Sequence, residues 1–226
     1  MDVVLVGLPG SGKSVIGRRV AHRHDAAFID LDERIEAAAG RTIPQLFEDE
    51  GEAGFRARER AAVVALGHAD RDPAIKRVVA TGGGTIVDPR NRWHLYRGRL
   101  PIWLDGRPEV LAQRLRRSTN VRPLVAGRDP IGSIRDLGRK RERFYGAAIR
   151  VRGVAEVGRV IERVDEIIAT HGSASAGGHV LLRADTAIGS IVLGEGIAAS
   201  EVAAALVRLG ARRAILVSEP GAWSAF

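Results

Sequence analysis

The chain has no cysteine, few aromatic residues and no long apolar run, and each absence excludes a class of protein. Without cysteine there is no disulfide framework and no thiolate metal site. Aromatic residues make up only 4% of the 226 residues, which leaves little surface for stacking nucleic-acid bases. No apolar stretch approaches the roughly 20 residues that span a bilayer, so we expect no membrane partner.

The chain is basic, with a formal net charge of +8, but its cations are scattered. All but three of the 35 basic residues are arginines, and they occur along the whole length. A cleft that binds a nucleotide itself needs several cations, so we discount nucleic acid as a partner. Because a strand is predicted to begin at Asp2, with no signal peptide before it, we expect a cytoplasmic location.

Residues 7–14 read Gly-Leu-Pro-Gly-Ser-Gly-Lys-Ser and match the complete phosphate-loop pattern. The motif follows the apolar run Val3–Val6 and precedes the amphipathic stretch Val15–His24, so strand, loop and helix occur in the required order. Backbone N–H groups of such a loop and the positive end of the helix dipole favour an anion. We therefore predict a nucleotide phosphate site, in which Lys13 reaches the β- and γ-phosphates and Ser14 binds the accompanying Mg²⁺.

Short apolar runs alternate with amphipathic stretches along the first 170 residues. This alternation predicts an α/β fold with a five-stranded parallel sheet and helices on both faces. Strands are predicted at Val3–Val6, Ala27–Asp30, Arg77–Thr81, Pro101–Asp105 and Ala148–Val151. Helices are predicted at Ser14–His24, Asp32–Ala39, Ile43–Glu50, Ala53–Ala69, Arg90–Arg97, Pro108–Arg116 and Ala155–Thr170.

Residues 171–178 are small, polar and glycine-rich, a composition typical of a flexible linker. They divide the chain into a first domain, residues 1–170, and a partial α/β segment, residues 179–226. That segment is predicted to form two strands around a turn, a helix and a further strand, at Val180–Ala184, Ser190–Leu193, Ala198–Leu209 and Ala214–Ser218. So few elements cannot bury both faces of a sheet, and we expect either an accessory to the first domain or the start of a truncated second one.

Two further features follow predicted strands, at the edge where open α/β sheets bind ligands. Asp30-Leu31-Asp32 offers two carboxylates, one for a metal and one for a substrate, although Asp30 followed by Glu33 also matches a helix capping box. The three glycines at 82–84 remove all side chains where the third strand ends. They either let a ligand lie against the main chain or form a simple tight turn.

Arginines in three segments complete the candidate site. Arg56 and Glu59 are three residues apart in a predicted helix and therefore share a face. Arg122 lies in the polar segment 118–127, whose Pro and Gly are consistent with a mobile lid. Arg141 precedes Tyr145 in a predominantly basic stretch. Any single arginine is more often a surface charge than a ligand, so position and family pattern must select among them.

These motifs together resemble those of shikimate kinase, over about residues 1–170. They are Gly7–Ser14, Asp30–Asp32, Phe55–Arg56, Gly82–Gly84, Val121–Leu124 and Arg141 with Tyr145. The resemblance implies a P-loop kinase fold with a mobile lid. It also implies ATP-dependent phosphorylation of shikimate to shikimate 3-phosphate, a step toward chorismate and the aromatic amino acids, with ATP as co-substrate and one Mg²⁺ ion as cofactor.

The resemblance also implies a role for each matched residue. ATP is bound by Gly10, Ser11, Gly12, Lys13, Ser14, Val15 and Arg122, and the metal by Ser14 and Asp30. Shikimate is bound by Asp32, Arg56, Gly82, Gly83, Gly84 and Arg141, with Asp32 as the candidate base and both arginines on the carboxylate. The catalytic residues are Lys13, Asp32 and Arg122. The adenine contacts stay open among Arg114, Arg116 and Arg117 before the lid, and Arg152 and Gly153 after the fifth strand.

The end of the chain is similar to another family. Residues 191–196 and 213–219 resemble the opening of 3-dehydroquinate synthase, which implies a kinase fused to a synthase and cut within the synthase's nucleotide-binding domain. No synthase activity is then expected from this chain. The alternative is a nonspecific βαβ-like extension.

Other functions stay open for the phosphate loop. One is another small-metabolite kinase, of the gluconate or nucleoside monophosphate type. A GTPase switch would need an Asn-Lys-x-Asp motif, which the sequence lacks. A nucleic-acid-binding ATPase would respond to DNA or RNA and to salt.

Overall fold

The computed structural model describes residues 1–68, 74–117, 129–153, 156–173, 179–186 and 189–195, together with positions 204, 206 and 207. The strands are β1 Asp2–Val6, β2 Ala27–Asp30, β3 Arg77–Ala80, β4 Leu100–Asp105, β5 Ile149–Arg152, β6 His179–Thr186 and β7 Gly189–Glu195. The helices are α1 Lys13–Arg23, α2 Leu31–Ala39, α3 Ile43–Val64, α4 Pro89–Tyr96, α5 Pro108–Arg117, α6 Pro130–Tyr145 and α7 Val157–Ser173. Among these helices, none combines the length and apolarity that crossing a bilayer requires.

The first five strands form one parallel sheet in the order β2-β3-β1-β4-β5, which confirms the predicted fold class. Each of these strands begins and ends within one residue of its predicted bounds. The order reverses at β1, since the chain moves to one side for β2 and β3 and to the other for β4 and β5. Ligands of such sheets bind at this reversal, beyond the carboxyl ends of the strands.

The two faces of the sheet are covered by different helices. Val3 and Leu5 of β1 belong to one apolar cluster, to which α1, α5 and α7 contribute. Val4 and Val6 belong to a second cluster, to which α3, α4 and α6 contribute. All four side chains are fully buried, as expected of a central parallel strand that is covered on both faces.

The structure differs from the predicted elements at α3 and near the end of the chain. Helix α3 joins the two helices predicted on either side of Gly51, where the backbone leaves helical geometry with φ of 67°. Helix α7 continues to Ser173, three residues into the predicted linker. Strands β6 and β7 pair antiparallel, whereas the helix and strand predicted after them lie outside the described residues apart from three helical positions.

A buried ionic cluster lies at the amino ends of the strands, opposite the carboxyl edge. Asp2 is fully buried and accepts hydrogen bonds from Arg77, its register partner on β3, at 2.6 and 3.0 Å. Arg99, just before β4, donates to Asp2 at 3.0 Å and to the backbone oxygens of His94 and Gly67. The carboxylate thereby connects three central strands to the ends of α3 and α4.

Replacing Asp2 by alanine should cost about 3 kcal/mol of unfolding free energy, because it leaves the buried Arg99 guanidinium without its counterion. Urea denaturation measures the loss. Asp136→Ala is the matched control, since Asp136 and Arg139 form an exposed pair at 3.9 Å and its removal should change stability by less than about 0.5 kcal/mol. Equal losses in the two variants would contradict the role of the cluster.

Candidate active site

The phosphate loop connects β1 to α1 and wraps around the Lys13 ammonium group. Gly12 begins the helix with φ of 90°, a backbone conformation that favours glycine. The Lys13 Nζ donates to the backbone oxygens of Gly7 and Leu8 at 2.9 and 3.0 Å. The residue is only 8% exposed, so its charge is held inside the loop. An anion entering the loop would meet this ammonium together with the N-terminus of α1.

A second part of the site is the contact between Ser14 and Asp30. The Ser14 hydroxyl donates to Asp30 Oδ2 at 2.6 Å, while Asp30 Oδ1 accepts from the backbone N–H of Asp32 at 3.0 Å. Asp30 therefore both caps α2 and faces the phosphate loop. Burial, the largest cause, raises the pKa of the Asp30 carboxyl above its ordinary value. Glu33, the other half of the suggested capping box, pairs instead with Arg18.

The three glycines after β3 each leave room for a different part of the site. A Cβ on Gly82 would lie 2.7 Å from Asp32 Oδ1, and a Cβ on Gly84 would lie 2.9 Å from a guanidinium nitrogen of Arg56. A Cβ on Gly83 would lie 2.7 Å from Cδ of Pro9, in the phosphate loop. These residues, which we call the glycine loop, therefore bring the phosphate loop, a carboxylate and a guanidinium together.

Two arginines from different helices reach the glycine loop. Arg56 of α3 donates to Glu59 at 2.9 Å, which confirms that these residues share a face, and Glu59 accepts from Thr85 at 2.7 Å. Arg141 of α6 donates to the Gly83 carbonyl oxygen at 2.8 Å. Burial lowers the pKa of the Arg141 guanidinium. Arginine side chains nevertheless keep their charge in proteins. Two cations therefore flank a side-chain-free loop, an arrangement suited to an anionic ligand.

The family model described as shikimate kinase matches residues 9–171. The chain belongs to the shikimate kinase family. The kinase is 44% identical to a shikimate kinase of Symbiobacterium thermophilum over 153 residues, which cover 67% of this chain and 85% of that protein. It superposes on the structure of an Acinetobacter baumannii shikimate kinase in complex with shikimate with a TM-score of 0.69, at 34% identity, covering 75% of this chain and 93% of the other.

A third relative of the kinase carries a second activity in its name. It is the bifunctional shikimate kinase/3-dehydroquinate synthase of Thermotoga maritima, 41% identical over 152 residues. The match covers 67% of this chain but only 29% of that protein. The predicted function, phosphorylation of shikimate at the expense of ATP, thus agrees with the family and with several named relatives.

Most of the predicted site residues of the kinase lie around the glycine loop and the phosphate loop. The exception is Arg122, which lies outside the described residues, as does the whole of the predicted lid, residues 118–127. Of the candidates for the adenine contact, Arg114 comes nearest to the phosphate loop, since its Nη1 donates to the Gly10 carbonyl at 3.5 Å. Arg116 and Arg117 are exposed. Arg152 ends β5 and Gly153 follows it, and both residues are exposed.

Sequence reasoning missed two residues of the kinase site. From the sequence, Glu59 is only a residue on the same helix face as Arg56. In the structure it is 2% exposed and accepts hydrogen bonds from both Arg56 and Thr85. Thr85 is fully buried and follows the three glycines directly. The signal for Glu59 was present, because an acidic residue three positions after a predicted ligand arginine can fix its orientation. Nothing in the sequence connected Thr85 to α3.

The replacement Gly83→Ala should impair the kinase, because the new Cβ would overlap the rigid Pro9 ring and separate the glycine loop from the phosphate loop. We expect stability to fall by about 1–3 kcal/mol, as for other overpacked sites, together with a large loss of kcat. Urea denaturation and the shikimate-dependent release of ADP measure the two effects.

Gly158→Ala, in α7, is the control, since a Cβ there meets nothing within 4 Å. Its kcat should match that of the unaltered protein, and its stability should stay the same or rise by up to about 1 kcal/mol, because alanine favours the helix. A Gly83→Ala variant with normal kcat would mean that the approach to Pro9 is not needed for activity.

Proposed function

We propose that this kinase transfers the γ-phosphoryl group of ATP to a ring hydroxyl of shikimate in the cleft between the phosphate loop and the glycine loop. The observation that carries the proposal is the glycine loop itself. It lies against Pro9 on the ATP side and against Asp32, Arg56 and Arg141 on the acceptor side. Donor and acceptor sites thus share one backbone segment.

On the ATP side, residues 10–15 would surround the phosphates. The Lys13 ammonium now donates to carbonyl oxygens of its own loop, and phosphate oxygens would replace these as stronger, charged acceptors. Lys13 would then stabilise charge on the transferring group. Arg122 would close onto the same group and add a second positive charge, which is the main requirement of a loose phosphoryl-transfer transition state.

The residues at the Ser14–Asp30 contact fit a magnesium ion. A hydroxyl and a carboxylate meet there next to the predicted phosphate position, and Mg²⁺ prefers oxygen ligands and is usually held by one or two protein groups and substrate phosphates. Ser14 would bind the ion, and Asp30 would hold it, through water, from the end of β2. When bound, the ion neutralises charge on the β- and γ-phosphate oxygens.

On the acceptor side, two guanidinium groups favour an acid over a neutral polyol. Arg56 and Arg141 would bind the carboxylate, since each charge-assisted hydrogen bond contributes about 1.5–3 kcal/mol. Asp32, next to Gly82, would orient the attacking hydroxyl and accept its proton late in the transfer. Closure of the lid would exclude water, which otherwise competes as an acceptor.

For the end of the chain, we propose a kinase domain at residues 1–170, a linker at 171–178 and a synthase-like segment at 179–226. The bifunctional relative from Thermotoga maritima supports this division, because its name joins the two activities in one protein. The β6–β7 hairpin agrees with the two strands predicted around a turn. In this division, a fused synthase domain would be the partner of the kinase.

Arg56→Ala should lower kcat/KM for shikimate about 10- to 100-fold, mainly through KM, because one charge-assisted bond to the carboxylate is lost. Steady-state release of ADP at varied shikimate measures this effect. Arg58→Ala is the matched control, since Arg58 lies two residues along α3 and pairs with Glu50 at the surface. An unchanged KM for shikimate in Arg56→Ala would contradict the acceptor site.

The choice of acceptor is tested in the same assay with gluconate and AMP. ADP release that depends on shikimate and on neither alternative supports the proposed function. Release that is independent of shikimate would overturn it while leaving the nucleotide site in place.

A further inference from the structure

The carbonyl oxygen of Gly83 accepts two hydrogen bonds from successive turns of α6. Arg141 Nη1 donates at 2.8 Å and the Tyr145 hydroxyl donates at 3.2 Å. Both side chains are buried, Arg141 with 8% and Tyr145 with 1% of its surface exposed. A carbonyl oxygen has two lone pairs, so it can accept from both donors at once, and one donor remains when the other is withdrawn.

The two donors differ in their freedom to move. The Tyr145 ring stacks on Trp103 with ring centroids 5.1 Å apart and planes inclined by 20°. Trp103 in turn lies under the guanidinium of Arg150, 4.3 Å from its ring centroid. The Tyr145 side chain is therefore fixed between its own helix and Trp103 of β4. Arg141 has a longer, unbranched side chain and is the residue that would bind the acceptor's carboxylate.

A bound acceptor carboxylate would offer the Arg141 guanidinium a new, charged partner and would weaken its bond to Gly83. We propose that Tyr145 is a positioning residue, whose hydroxyl holds the Gly83 carbonyl in place while Arg141 engages the acceptor. This inference rests on the proposed function. It assigns Tyr145 no contact with the reacting atoms.

The position of Gly83 affects the reaction because this residue also lies against Pro9 of the phosphate loop. A shift of its peptide group changes the separation between the acceptor and the γ-phosphate, and small misplacements of reacting groups lower rates strongly. Burial raises the pKa of the Tyr145 hydroxyl, so it stays a protonated donor throughout the working pH range. The expected signature is a change in the rate and fidelity of transfer, with nucleotide binding unaffected.

The test compares Tyr145→Phe with Tyr96→Phe, each of which removes one buried hydroxyl. Tyr96 is 2% exposed, and its hydroxyl has no hydrogen-bond partner among the described residues. In Tyr145→Phe, kcat with shikimate should fall about fivefold, the equivalent of one neutral hydrogen bond, with an unchanged KM for ATP. The ratio of ADP to shikimate 3-phosphate should rise above one, because a misplaced acceptor lets water compete. Tyr96→Phe should match the unaltered protein.

Thermal unfolding separates positioning from packing. Without ligand, Tyr145→Phe should lower Tm by only about 2–4 °C, the cost of one hydrogen bond, and Tyr96→Phe should leave it unchanged. The rise in Tm on adding shikimate should be smaller in Tyr145→Phe alone. Equal kinetics in the two variants would overturn the inference, as would equal losses of kcat accompanied by equal losses of Tm. If the unaltered protein releases no ADP in response to shikimate, the proposed function fails and the inference fails with it.

Discussion

The close approach of Gly83 to Pro9 is the constraint on which the site depends. It joins the phosphate loop after β1 to the glycine loop after β3, two strands that are adjacent and parallel. Because the two loops leave the sheet at the same edge, only a residue without a Cβ lets the Gly83 backbone lie this close to the Pro9 ring. The separation of the two loops is then set by a glycine backbone packed on a rigid proline ring, and in the proposed function this separation would place the acceptor relative to ATP.

Two charges beside the glycine loop, Arg56 and the buried Glu59, are paired, and this pairing shapes the site. Glu59 would be costly to bury alone, but it accepts from both Arg56 and Thr85 and so connects α3 to the start of the turn at Thr85–Val87. Arg56 also pairs with Glu52 at 3.1 Å, which leaves its guanidinium held from two sides and lying over Gly84. The orientation of this arginine is therefore decided before any ligand arrives.

The polar groups at the amino ends of the strands and those at the carboxyl ends have different roles. At the amino edge, Asp2 holds Arg77 and Arg99 in a cluster that joins three strands and contributes stability. At the carboxyl edge, polar groups lie around the loops. Asp30, for example, both caps α2 and accepts a hydrogen bond from Ser14. The length of the strands thus separates the stabilising Asp2 cluster from the candidate site. A change in one group of residues therefore need not disturb the other.

The sequence by itself determined the strands, the phosphate loop and the alternation of strands and helices that predicts a parallel sheet. Periodicity, glycine spacing and capping residues suffice for this because they act over a few neighbouring positions. It also marked Arg56 and Arg141, but only through a resemblance, because nothing local distinguishes them from the other arginines. Tertiary structure alone decided that Asp30 both caps α2 and accepts from Ser14, and that Arg114 rather than Arg116 or Arg117 reaches the phosphate loop. It also brought Glu59 to Thr85. These outcomes depend on which distant helices pack together, and the packing of the two sheet faces sets that geometry.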